Sequence, residues 1–177
     1  MRNPSILKRI FFIRSNEDSF CPVCCSALSV RGSKNRKVIK SDGSKVIYRL
    51  RVLKCGKCRK HHVELPDFIQ PFKHHESETI ESVLDYTAIS CPAEESTLKR
   101  WRLWFYENYN RVDSTLTSIW MSGHRVHVNL LQRTSLLQNI QNTGAGWLRA
   151  VMRQLVNSGK YIHTQFAFCP DALRSNI

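Results

Sequence analysis

Residues 45–53, KVIYRLRVL, alternate between two unlike sets of side chains. Val46, Tyr48, Leu50 and Val52 would line one face of a strand, and Lys45, Ile47, Arg49, Arg51 and Leu53 the other, one apolar and one rich in cations. Upstream lie a shorter apolar run at 37–40 and the pair Asp42-Gly43, a turn signal that predicts a hairpin. Ile10, Phe11, Phe12 and Ile13 predict an earlier strand. After residue 75 the period changes. Ile80, Val83 and Leu84 follow Ser77 at helical spacing, with Ser77 placed to cap. Beyond Pro92, the residues Leu98, Trp101, Trp104 and Phe105 share one side of a second helix, with Lys99, Arg102 and Tyr106 roughly opposite. Two further helices are expected at 130–140 and 146–156, the latter closed by Asn157-Ser158-Gly159, and a last strand at 161–168. The pattern therefore predicts an α+β chain in three parts. Residues 1–75 form a small antiparallel β unit with a hairpin, 76–113 a helical unit, and 114–177 a helical module with a closing strand.

The chain of 177 residues suits one ordinary domain or two small ones, and 42% hydrophobic against 23% charged residues fits a folded globular protein. No apolar run approaches the roughly 18–20 residues of a membrane span. Lys8, Arg9 and Arg14 interrupt the apolar start, which reads as a strand rather than a leader; a cytoplasmic protein with no membrane partner is expected. The net charge of +13 is unevenly spread. Residues 1–75 hold 17 Lys and Arg against 5 Asp and Glu, residues 76–113 hold 4 against 8, and residues 114–177 hold 6 against 1. Such a concentrated excess favours a polyanion, nucleic acid first, over a merely solvated basic surface.

The most specific signal is in the cysteines. Cys21-x-x-Cys24 and Cys55-x-x-Cys58 are two knuckle-like pairs separated by thirty residues, with the hairpin between them. Each pair aims two thiolates at one point, and two pairs complete a tetrahedral four-sulfur site suited to one zinc ion. Gly56 is expected to supply the turn geometry of the second pair. A four-thiolate shell leaves no open position, so the zinc would be structural. Cys25 is an alternative to Cys24. His61 and His62 are read as surplus to the shell, too close to their own knuckle to reach back. His74 and His75 read as a polar link, and Cys91 and Cys169 as buried small apolar residues.

The series CPVC, then RLRVLKCGKCRKHHVELPDFIQPFKHH, then STLKRWRLWF resembles an uncharacterised bacterial and phage zinc-ribbon family. That family is in turn similar to the N-terminal zinc-ribbon and helix-turn-helix regions of insertion-sequence transposases. The resemblance implies that Ser96, Thr97, Lys99, Arg100 and Arg102 take DNA-facing places on a recognition helix, while Trp101, Trp104 and Phe105 hold it on its core. One departure is the segment between Leu84 and Thr97, which is short for a second helix plus a turn and contains Pro92. The expected function is a non-catalytic DNA-binding protein, an accessory factor or regulator linked to a mobile element. Arg31, Lys34, Arg36, Lys37, Lys40, Lys45, Arg49 and Arg51 would neutralise phosphates of double-stranded DNA, and Arg100 and Arg102 would reach base edges. A protein partner from mobile-element machinery and a homodimer are further expectations. The alternatives are a protein- or RNA-binding zinc-ribbon adaptor and, less favoured, a transposition or DNA-cleavage enzyme. Against the last, 14 acidic residues form no recognisable carboxylate cluster.

Overall fold

The alternating segment becomes the central strand of the sheet. In the computed structural model, which describes residues 10–16, 18–124 and 134–159, it is β3 (Lys45–Cys55). Its long partner β2 (Leu28–Ile39) pairs with it antiparallel from Leu28 opposite Cys55 to Ile39 opposite Lys45. Gly43, at φ +79°, turns the hairpin, and Asp42 accepts from the Ser44 amide at 2.8 Å. The predicted turn is therefore in place. The first arm is three times as long as its apolar run, because backbone pairing carries it through polar residues 29–35. A bulge between Val30 and Gly32 absorbs one extra residue there. The opposite edge of β3 is shared by β1 (Ile10–Phe12) and β4 (His61–Val63). Since β1 runs parallel to β3, the sheet is mixed rather than purely antiparallel.

Register sorts the side chains as the alternation predicts. Val38 and Leu50 are fully buried on one face, where the Tyr48 ring meets Phe68 edge-on at 5.3 Å. Lys37, Lys45, Arg49 and Arg51 share the other face.

The helical part comprises α1 (Ser77–Leu84), α2 (Glu95–His124), α3 (Leu136–Gln141) and α4 (Trp147–Asn157). One apolar cluster joins all four, with Val83, Val112, Leu116, Leu137, Leu148, Val151 and Leu155 fully buried. The boundary expected after residue 113 falls inside α2, a single helix of 30 residues. No proline interrupts residues 95–124, and Val112, Leu116 and Ile119 continue the stripe begun by Leu98, Trp101 and Trp104. Ser77 does not cap α1. Glu76 is the N-cap, while the fully buried Ser77 donates its hydroxyl to the Asp67 carbonyl at 3.1 Å. The start of α3 is satisfied from α2, where Asp113 accepts from the Leu137 amide at 2.8 Å and from the Ser135 hydroxyl at 2.9 Å. Gly159, at φ +70°, closes α4 as expected from Asn157-Ser158-Gly159. The expected strand at 161–168, Cys169 and the first residues of the helix expected from 130 lie outside the described residues. Among the described residues, no helix is long and apolar enough to cross a membrane.

Candidate metal centre

Two tight turns build the site. In the first, the Cys21 amide donates to the Ser26 carbonyl and the Cys25 amide to the Cys21 carbonyl, both at 2.8 Å. In the second, the Cys55 amide donates to the Lys60 carbonyl at 3.0 Å, and the Cys58 amide approaches the Cys55 sulfur at 3.4 Å. The residue after each second cysteine takes the left-handed conformation: Cys25 at φ +56° and Arg59 at φ +60°. Gly56 does not have positive φ, so the expectation placed on it is corrected; the reversal comes after the knuckle rather than within it.

β2 and β3 bring the turns together, because their register sets Leu28 against Cys55 and so places both knuckles at one end of the hairpin. The sulfurs of Cys21, Cys24, Cys55 and Cys58 all lie within 4.8 Å of one another. The Cys21–Cys58 and Cys24–Cys55 pairs are at 3.5 and 3.4 Å. A tetrahedral ion with metal–sulfur bonds of about 2.3 Å needs sulfurs about 3.8 Å apart, so the four cysteines fit such an ion with small adjustment. Cys21 and Cys55 are buried, whereas Cys25 is exposed and outside the cluster.

The thiols are electrically unequal. Hydrogen bonding to Ser26, through backbone and hydroxyl, draws Cys24 down to about 6, with Cys55 assisting. Cys58 stays high, at about 11: against the pull of its hydrogen bond to the Lys60 backbone, burial and the neighbouring sulfurs of Cys21, Cys55 and Cys24 raise it. Four close sulfurs cannot all shed their protons without a compensating cation, and a bound metal ion supplies that charge.

His62 corrects one part of the sequence reading. β4 pairs it with Leu53, and its Nε2 reaches 3.5 Å from the sulfur of Cys21 on the opposite knuckle. It is no member of the four-sulfur group, but it can donate to one of them, as polar neighbours of metal ligands commonly do. Burial and the adjacent Lys60 and His61 charges hold its ring below the usual histidine range. His61 is exposed.

The cations named for DNA contact are not equivalent. Arg31, Lys34, Lys37 and Lys45 are exposed, and Lys40 is half-buried. Arg36 turns inward and donates to the Lys73 carbonyl at 2.6 Å. Arg49 donates to Asn35 at 3.1 Å and lies over the Phe12 ring at 5.3 Å. Arg51 grips Glu64 with two hydrogen bonds, that from Nε at 2.6 Å. On α2, Ser96, Lys99 and Arg100 are exposed and Thr97 is half-buried. Arg102 donates to the Val83 carbonyl at 3.2 Å and stacks over Tyr86 at 4.6 Å.

The Arg51 pair has a pH signature. Hydrogen bonds from Arg51 hold the Glu64 carboxyl below the usual range. A depressed acid contributes stability above its unfolded value and loses it as the pH falls through its folded one. Arg51→Met is therefore expected to destabilise by about 1 kcal/mol at neutral pH, with the difference shrinking as the pH falls below about 4 and through the lowered folded value of Glu64. Urea unfolding of both proteins at the two pH values measures it, and a pH-independent difference would contradict the assignment.

Together these features define an α+β protein with a small mixed sheet closed at one end by a four-cysteine centre able to hold a metal ion. Residues 21–101 match the model of a family described as a domain of unknown function, DUF6431. The matched stretch begins at the first metal-site cysteine and ends at Trp101, so it contains the whole centre, the hairpin, α1 and the start of α2. Comparison with curated proteins and with solved structures gives no match.

Proposed function

We propose that the chain is a zinc-ribbon protein that binds double-stranded DNA, as a non-catalytic accessory factor or regulator of a mobile element. The observation that carries this reading is the single sheet face shared by Lys37, Lys45 and Arg49, with both lysines exposed. Cations held on a rigid hairpin suit the regular spacing of backbone phosphates, and a net charge of +13 supplies the longer-range attraction. Zinc is the metal that four thiolates suit best, and its role is to hold the hairpin ends rather than to react. The start of α2 adds Ser96, Lys99 and Arg100 as exposed groups for a helix-turn-helix-like contact. Residues 85–94 between α1 and α2 exceed the turn of about three to four residues in a standard pair, so the main contact is assigned to the sheet.

Fluorescence anisotropy with duplex DNA over a salt series tests this. Affinity is expected to fall steeply with salt. The combined Lys37→Ala, Lys45→Ala and Arg49→Ala variant should flatten the log–log slope by about 2–3, near 0.9 for each lost phosphate contact. Absent or salt-independent binding would end the reading. The second reading, an RNA-binding adaptor, draws on the exposed Phe12 ring under Arg49, a pairing that suits stacking of unpaired bases. Tighter binding of single-stranded RNA than of duplex DNA would favour it.

A further inference from the structure

A hollow of about 400 Å³ lies where residues 72–75 meet the first turns of α2, away from the four cysteines and from the cationic sheet face. Its size falls within the roughly 300–1,000 Å³ of small-molecule sites. Thr97, Arg100, Trp101, Trp104 and Glu107 recur at helical spacing and form one wall as a single stripe of α2.

The facing loop is fixed from the sheet side. The Ile39 amide donates to the His74 carbonyl at 2.7 Å, the Glu76 amide donates to the Ile39 carbonyl at 3.1 Å, and Arg36 holds the Lys73 carbonyl. With its backbone pinned there, the loop offers its side chains to α2. Phe72 is held at φ +61°, a strained conformation for a bulky residue, with its ring 62% exposed at the rim.

Three kinds of group meet in this hollow. The first is cationic. The Lys73 ammonium sits over the Trp104 ring at 5.3 Å, and Arg100, bonded to the Thr97 hydroxyl at 3.0 Å, lines the same wall. The second is apolar and aromatic, with Phe72 and Leu103 exposed at the edge. The third is a pair of unused polar atoms. His75 and Trp104 are more than nine-tenths buried, yet His75 Nε2 and Trp104 Nε1 have no hydrogen-bond partner. Buried polar atoms in native proteins nearly always have partners, so two orphans behind one cavity wall are unusual. Glu107 is the one acid in the lining.

We propose that this hollow binds a nucleotide, its phosphate held by Lys73 and Arg100 and its base against Phe72. Cations alone would suit any anion, whereas the exposed aromatic surface of Phe72 beside them adds what a base stacks on. The nucleotide can be free or one unit of a strand. The site stands independently of the sheet-face reading.

Burial, reinforced by the Arg100 charge, brings the Lys73 amine down to about 8. A phosphate beside it favours the ammonium, so binding near pH 8 should take up a proton. The other charged or titratable groups around it are His74 and His75 on its own loop, Arg100 and Glu107 on α2, and Arg36 from β2.

Isothermal titration calorimetry on the full, metal-loaded chain tests the proposal with adenosine monophosphate, inorganic phosphate and a short single-stranded oligonucleotide. Saturable binding of the mononucleotide, tighter than phosphate alone, is expected for a free ligand. Binding of the oligonucleotide alone would assign the source to a strand. Lys73→Met or Arg100→Gln should weaken binding on the order of ten- to a hundredfold, and Glu107→Gln should strengthen it. The Lys37, Lys45 and Arg49 variant should bind the mononucleotide as the unaltered chain does, which separates this site from the sheet face. Failure of both nucleotide ligands to bind, equal affinity for inorganic phosphate, or indifference to Lys73→Met and Arg100→Gln overturns the proposal.

Discussion

Cys55→Ala is expected to abolish metal retention and unfold the sheet, whereas Cys25→Gly should leave both intact. The core of the sheet part is thin. Among the described residues, apart from Cys21 and Cys55, its buried apolar side chains are Val38, Leu50, Leu53 and Ile69, and much of β2 is exposed. A structural zinc ion in a small peptide supplies about 10–16 kcal/mol of apparent folding energy at neutral pH, more than a unit with so little buried apolar surface can replace. Losing one thiolate of four also leaves three sulfurs crowded together with no ion to offset their charge. Cys25 points out of the cluster at φ +56°, and glycine adopts that conformation without the penalty a side chain incurs. Among the described residues the helical unit has its own core of twelve buried residues, so its circular dichroism should outlast loss of the metal. Elemental analysis of the purified variants, with circular dichroism before and after chelation, measures each part. Full metal content in Cys55→Ala, or loss of metal in Cys25→Gly, would refute the ligand assignment.

Glu81→Ala should destabilise the helical unit by about 3–4 kcal/mol. Glu81 is only 5% exposed, and its carboxylate spans two amides at the start of α4, Gly146 at 2.6 Å and Leu148 at 2.9 Å. One turn along α1, Asp85 accepts from the Trp147 indole at 2.9 Å. These acids stand in for a local cap: the N-cap Gly146 has no side chain, and a helix start leaves its first amides unpaired. The positive end of the α4 dipole adds to the attraction. Removing the carboxylate strands two N–H groups, one of them in a fully buried residue, at about 1–3 kcal/mol each. Glu81→Gln keeps one acceptor and should cost about half as much. Urea unfolding followed by tryptophan fluorescence tests this, and a change in Glu81→Ala smaller than about 0.5 kcal/mol would show that α4 does not depend on this cap.

The contrast between these two predictions shows what the sequence made legible. The metal centre rests on local spacing: two residues between cysteines suffice to define a knuckle, and a readable hairpin connects the two knuckles. The α4 cap depends on a carboxylate 65 residues away from the amide it meets, and nothing in the local pattern around Glu81 announces it. The length of α2 was obscured because Asn108, Asn110, Asp113, Ser114 and Thr115 look like loop residues. Yet Val112 and Leu116 keep the buried stripe going, and tertiary packing overrides weak propensity. By sequence His62 reads as too close to its own knuckle to reach back, but the antiparallel pairing of β4 with β3 carries it to Cys21 of the other knuckle.

By itself the sequence determined the four cysteines as a group, the two-faced hairpin between them, the basic balance of the chain and the change to helical period after residue 75. Those features come from neighbouring residues and from the periods of strand and helix, so they survive without any knowledge of packing. Only the tertiary structure decided which cations remain exposed, since Arg36 and Arg51 are claimed by partners brought in from residues 73 and 64. It alone placed Lys73 over Trp104 and buried the ring nitrogens of His75 and Trp104 without partners. Contacts of that kind are set by how the loop at 72–75 meets α2, and no repeat or spacing along the chain encodes that meeting.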